Sequence, residues 1–495
     1  MKRTLFLAIL LLCGVGSLRA QTASELVDRA LTELGGAERL AALRSMEWSG
    51  ILHQFDLVQS ERPTGPWITN YTQVNGLRDL QHGTAARTEK TRGILFGSEW
   101  RESDFVVAEG YLFMSTPRGF FPYPPALASL TLYEQRLAPN RVMLEAARAE
   151  DLMLAGDTWL DDVRHHAVSF TSAGDSLVVF LNADTGLPTA VDTFRPAYFD
   201  IWGTARHRSY FGIWMLEDNG VRYPRQIDEY MDGIPSRSIT IDDLAFDVPV
   251  PADTMAVPAE AVAMAATPSF DIRSSPYAQN RSGREPSTLP GGIVEVVGSW
   301  DVMFVPQSDG VVIIEAPISS EYSVKVLEDA AERFPDLPVK AVVTTSDAWP
   351  HFAGVREYAA RGIPIYALDR NHGILTRLFD ATFTQRPDAL ELNAATPDVH
   401  WVADDTILGE GENMMVLFPA LGEGSERMLF VYFPAHGLLY ASDMIQKMPD
   451  GSYFMPQYLS EVEAAAEREK LPVRNVIAMH TGLTPWSGIQ AAIPR

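Results

Sequence analysis

Thr344-Thr-Ser-Asp-Ala-Trp-Pro-His351-Phe-Ala-Gly354 stands at the turning point of an alternating pattern. Before it, Val339 to Thr345 reads as a buried strand. After it, the spacing predicts a helix from His351 to Arg361, then a strand from Ile363 to Leu368. Upstream, Gly310-Val-Val-Ile-Ile-Glu315 is a short apolar run of strand length. Ser320 to Phe334 follows with Val324, Leu327, Ala331 and Phe334 at helical spacing. Downstream, Met428 to Pro434 and Gly437 to Ala441 form a predicted hairpin around Ala435-His436. Glu461 to Glu467 is helical, and Val473 to Met479 is a last strand that runs into His480.

The half before this region has a different grammar. Short helical patterns, Ala23 to Leu34 and Gly36 to Leu43, precede strand-like segments at Trp48 to Leu57, Thr91 to Phe96, Phe105 to Met114 and Ala167 to Leu181. Asn182-Ala-Asp-Thr-Gly186 supplies turn chemistry, and Leu187 to Thr193 returns as a hairpin partner. Tyr210 to Leu216, Arg222 to Glu229 and Ser238 to Leu244 continue the sheet. Pro139 to Leu154 is a predicted helix with proline in its first turn. The halves are separated by residues 248–292, where Pro249, Pro251, Pro258, Pro268, Pro276, Pro286 and Pro290 read as a linker or surface strap. The organisation is therefore α+β, with an antiparallel sheet domain over 22–247, the Pro-rich linker, and a second domain over 293–495.

The chain has 495 residues and a formal charge of −24. Met1-Lys-Arg3, the apolar run Leu5 to Val15 and Ser17-Leu-Arg-Ala20 form the three-part layout of a signal peptide over 1–20. The expected location is periplasmic or secreted, with no integral membrane segment in the mature chain. Cleavage removes Lys2, Arg3, Arg19 and the lone Cys13, leaving a more negative chain without cysteine. That excludes disulfides, cysteine nucleophiles and thiolate metal sites. The acidic balance argues against nucleic acid or anionic membrane as a partner.

The motif at Thr344–Gly354 resembles the metallo-β-lactamase core, where the strand ends in Thr-His-x-His-x-Asp-His-x-x-Gly. Phe430-Val-Tyr-Phe-Pro434, Leu438-Leu-Tyr-Ala-Ser-Asp443 and Ile477-Ala-Met-His480 extend the resemblance over residues 293 to 495, and Glu315-Ala-Pro317 fits a subgroup of the family. The resemblance implies an αββα sandwich and carries its ligands across position by position. The first two histidines fall on Ser346 and Ala348, the aspartate on Pro350, and the motif's last histidine on His351. The next histidine belongs within Leu421 to Arg427, which contains none. The bridging aspartate is Asp443, and the last histidine is His480. One metal position has thus lost its imidazoles; the other keeps His351, Asp443 and His480 as candidate metal ligands, with Asp347 nearby.

Two-metal hydrolysis needs more ligands than these. The expectation is a degenerate hydrolase that acts in ligand binding, with no cofactor. The alternatives are a hydrolase with one zinc or iron ion on His351, Asp443 and His480, and a lipid- or lipoprotein-binding module. No catalytic residue is assigned, and no nucleophile-elbow pattern surrounds Ser346. The first half resembles the curved-sheet domains of periplasmic lipoprotein carriers, through Leu31 to Met46, Leu181-Asn-Ala-Asp-Thr-Gly-Leu187 and Gly220-Val-Arg-Tyr-Pro224. That resemblance implies an apolar concavity for a small-molecule or lipid-like ligand. His165-His166 reads as a solvated turn, and His372, His400 and His436 lack ligand spacing.

Overall fold

The computed structural model describes residues 21–57, 64–93, 100–196, 201–251, 253–267, 283–298, 300–448 and 450–494. The expected signal peptide and the centre of the Pro-rich linker lie outside them. Among the described residues no helix is long and apolar enough to cross a membrane.

The first half is one antiparallel sheet of thirteen described strands. Its middle is the pair Ser45–Phe55 and Ile234–Phe246, which joins the first strand to the last. Side chains alternate across the sheet, so Met46, Trp48 and Leu52 face inward with Val168, Val179, Tyr223, Ile239 and Ile241. Helices Ala23–Glu33 and Pro139–Ala146 cover that face with Leu26, Val27, Leu31, Val142 and Met143. Thr22 and Glu25 form a capping box that fixes the start of the first helix. The predicted helix from Pro139 ends at Ala146, because Met153–Leu160 is already a strand. Two long predicted strands are hairpins instead: Arg101–Ala108 turns at Glu109-Gly110 into Tyr111–Thr116, and Val163–Ser172 turns at Ala173-Gly174 into Asp175–Asn182. All four turn residues have positive φ.

The second half is two six-stranded sheets face to face. One runs from Val294–Val296 through Val302–Gln307, Gly310–Ile314, Val339–Val343 and Ile365–Leu368 to Val399–Val402. The other runs from Thr406–Leu408 through Met415–Pro419, Leu429–Phe433, Leu438–Tyr440 and Asn475–Ala478 to Thr481–Pro485. Val312, Ile314, Ala341 and Val343 meet Leu417, Val431, Phe433 and Ile477 between the sheets. The opposite faces are buried too, under helices Ser320–Arg333 and Val355–Ala360 on one side and Gln457–Arg468 and Trp486–Ala492 on the other. Burial on both faces explains why these strands read as continuous apolar runs. The Ser320–Arg333 helix is turned from its expected face: Tyr322, Val326, Leu327 and Ala330 are buried, while Val324 is half-buried and Ala331 exposed.

The sequence boundary is not a packing boundary. Leu57, Ile201, Trp202, Ala205 and Met231 from the first half share one apolar cluster with Trp349, Phe352, Val355 and Phe383 from the second. The Thr204 N–H donates to Thr382 O at 2.6 Å, and Arg377 lies 3.4 Å above the Trp202 ring. Within the Pro-rich stretch, Ala259–Ala265 is a helix whose Ala261 and Ala265 pack on Ala108 and Phe113. That helix therefore lies against the first sheet.

Candidate functional site

Parallel pairing gathers the candidate residues at one rim of the sandwich. Gly310–Ile314 runs parallel to Val339–Val343, so Glu315 and Thr345 leave the sheet side by side. Leu438–Tyr440 runs parallel to Asn475–Ala478, which brings Asp443 and His480 to the same end. This is the edge at which open α/β sheets place their sites. The short helix Trp349–Phe352 delivers His351, tied down where Ala316 N–H donates to His351 O at 3.0 Å. Gly354 has to be glycine, since a side chain there would meet Ser319 O at 2.7 Å.

The result is a chain of alternating carboxylates and imidazoles. Glu315 is fully buried, accepts from Tyr440 OH at 3.0 Å and from Thr345 Oγ1, and lies 3.0 Å from His351 Nδ1. The other nitrogen of His351 faces Asp443 Oδ2 at 3.6 Å. Asp443 Oδ1 in turn is 3.3 Å from His480 Nε2 and accepts from Gln446 Nε2 at 2.8 Å. Burial opposes charge on His351, but Glu315 and Asp443 outweigh it and push its pKa up to about 10. Burial also acts to raise Asp443, yet hydrogen bonds to His351 and His480 hold it far below the usual carboxylate range. Tyr440 goes the other way, driven far up by burial and then by Glu315.

His351, Asp443 and His480 thus come together, but with Asp443 between the two imidazoles and a different oxygen toward each. Among the described residues no group of three or more His, Cys, Asp or Glu side chains is arranged to hold a metal ion. At the other motif positions, Ala348 and Pro350 offer no side-chain donor for a metal. Ser346 is buried, its Oγ accepting from the Ala348 N–H at 3.1 Å. In the segment that lacks the loop histidine, Glu461 accepts from Gly424 N–H, Ser425 N–H and Ser425 Oγ at 2.7 to 3.0 Å. The residues present do not supply the donor set of the two-metal site that the motif implies.

Two face-to-face sheets, helices outside, and these loops at one rim settle the architecture. The C-terminal half is a metallo-β-lactamase-like αββα sandwich. No family model matches the chain, and no curated protein matches it either. Among solved structures, DIM-1 metallo-β-lactamase is 13% identical with a TM-score of 0.33, covering 42% of this chain and 94% of its own. The stereoselective inverting sec-alkylsulfatase Pisa1 from Pseudomonas sp. is 14% identical with a TM-score of 0.32, covering 42% of this chain and 40% of its own. A DUF1329 family protein from Desulfovibrio piger is 12% identical with a TM-score of 0.31, covering 47% of this chain and 95% of its own.

Sequence reasoning quoted Glu315 as a motif letter and missed it as the counter-charge of His351. The available signal was a carboxylate ending a wholly apolar strand. His165-His166 is not a solvated turn. It lies within the strand Val163–Ser172, where His165 is buried with its ring nitrogens 2.8 Å from Val163 O and Thr189 Oγ1. His372 packs on Trp401, His400 stacks on Tyr366, and His436 Nε2 is 2.9 Å from Asn413 Oδ1.

The first half also buries charge. Helix Pro125–Arg136 carries buried Glu134, which pairs with Arg78, with Arg237 at 3.2 Å and with Arg87 at 3.4 Å. Arg237 also pairs with Glu229 at 2.7 Å.

Proposed function

We propose that this is an exported protein whose metallo-β-lactamase-like half is a degenerate hydrolase, without two-metal catalysis, kept as a rigid frame for ligand binding. The observation that carries the reading is His351, with a carboxylate at each ring nitrogen. A histidine held in that way acts as a cation in its own right. Its charge offsets Glu315 and Asp443 where a metal would otherwise do so. Export is inferred from the basic, apolar and small-residue layout of residues 1–20.

Metal analysis of protein purified without a His-tag tests the reading directly. The expected result is far less than one tightly bound metal per chain, with no hydrolysis gained on adding zinc. Two tightly bound metals, together with hydrolysis lost on chelation, overturn it.

A further inference from the structure

A cavity of about 80 Å³ lies where the two halves meet, between the end of strand Ser45–Phe55, helix Pro125–Arg136 and Trp349. Arg195 and His207 project into it from adjacent antiparallel strands. Thr193 sits opposite His207 and Arg195 opposite Ala205, which makes the two side chains diagonal neighbours on one face. Arg195 is 7% exposed, and among the described residues it has no ion pair; its guanidinium lies 3.9 Å from the centre of the Tyr133 ring, and its Nε has no hydrogen-bond partner. His207 is 9% exposed, and among the described residues its Nε2 has no hydrogen-bond partner. Burial, and then the charge of Arg195, hold its pKa well below the ordinary value, so the ring is neutral. The ring also hydrogen-bonds the Pro196 backbone, which leaves Nε2 as a lone pair facing the cavity. Asp56 lines the cavity too, but both its oxygens accept from Asn70 Nδ2, at 3.0 and 3.2 Å.

A buried guanidinium with no ion pair among the described residues is costly, and the neighbouring network shows that this sheet can supply close carboxylates where it uses arginines structurally. We propose that the cavity is a binding site for a small oxyanion that also carries a hydroxyl, its charge on Arg195 and its O–H donated to His207 Nε2. Phe55, Leu57, Met231 and Trp349 around it favour a compact apolar body, which points to a short hydroxycarboxylate. The inference rests on the ligand-binding part of the reading above. Metal content is measured separately, so failure of one is distinguishable from failure of the other.

Calorimetric titration of the full chain with 2-hydroxyisovalerate, inorganic phosphate, sulfate and the neutral 2-hydroxyisovaleramide tests it. The hydroxy acid is expected to bind and raise the melting temperature. Phosphate, the alternative source of the same chemistry, binds in its place if the apolar wall is not used. Sulfate and the amide should bind at least about 30-fold more weakly, and Arg195→Met should weaken the binding ligand by a similar factor. Ligand-free R195M should melt close to wild type, since among the described residues it strands no ion-pair partner and gives up the contact with the Tyr133 ring. Arg195→Lys and His207→Phe give the same test through conservative changes, with partial and large loss of binding respectively. Binding of neither anion, binding unchanged in R195M, or sulfate binding as tightly as the others overturns the proposal.

Discussion

Charge is buried in both halves of this molecule, and it is balanced in opposite ways. In the C-terminal sandwich, His351 lies between the carboxylates of Glu315 and Asp443, and Asp443 also contacts His480. At the junction cavity, Arg195 has an aromatic face and His207 has an open lone pair. A buried charge that is fully answered by the protein is structural, because nothing is left for a ligand to satisfy. One left unanswered is an unfilled half of an interaction. The difference separates a rim whose buried charges meet one another from a cavity where a buried charge has no ion pair among the described residues.

The largest expected effect comes from breaking the balanced chain. Glu315→Gln removes the charge facing His351 in a fully buried setting, and leaves the imidazolium with Asp443 alone. The loss should be about 3–5 kcal/mol of stability, read as a lower urea midpoint with an unchanged slope. A loss below about 1 kcal/mol would mean that the chain is not the structural element described. Next in size is Glu134→Gln, which strips one carboxylate from Arg78, Arg87 and Arg237 together. About 3 kcal/mol is expected from the same measurement.

The pH dependence sharpens the comparison. His351 is raised in the folded protein, to about 10 from an ordinary 6.5. Its contribution is fully present below the unfolded value and is lost as pH rises through about 10. Urea midpoints at pH 7, 9 and 10.5 should therefore fall at the alkaline end in wild type. In Glu315→Gln the fall should begin at lower pH, because the main source of the raised pKa is gone. Coincident profiles for the two proteins would show that Glu315 does not hold the proton.

Much of the C-terminal fold is legible in the sequence, because strands buried on both faces must be apolar throughout, as in Gly310–Ile314 and Leu429–Phe433. The first half is harder. Strand Thr69–Asp79 goes unseen because its inward positions are Thr72, Val74, Gly76 and Arg78, with glycine required where Trp48 lies across it. No period-2 apolar signal survives such a lining. That Ser346 and Ala348 stand where the motif has histidines is visible in the sequence, whereas the surroundings of His351 are not. Only the fold shows that Glu315, thirty-six residues before His351, takes up its charge. Arg195 and His207 are hidden for a further reason. Each is an ordinary strand residue until Trp349, from the other half, closes the cavity over them.

The smallest expected effect is the one that best separates the two histories open to the sandwich. His480 lies at the outer end of the chain with its side chain 34% exposed, and its contact with Asp443 is 3.3 Å long. If the chain is structural, His480→Ala removes a partly solvated contact while Asp443 keeps His351 and Gln446. The cost should then stay within about 1 kcal/mol, as for other exposed pairs. If instead His351, Asp443 and His480 hold an ion, the same substitution removes one of three ligands and abolishes metal content and hydrolysis together. Melting and metal analysis of His480→Ala beside wild type give opposite answers in the two cases. A near-silent substitution places the chain with buried ion pairs of the ordinary kind.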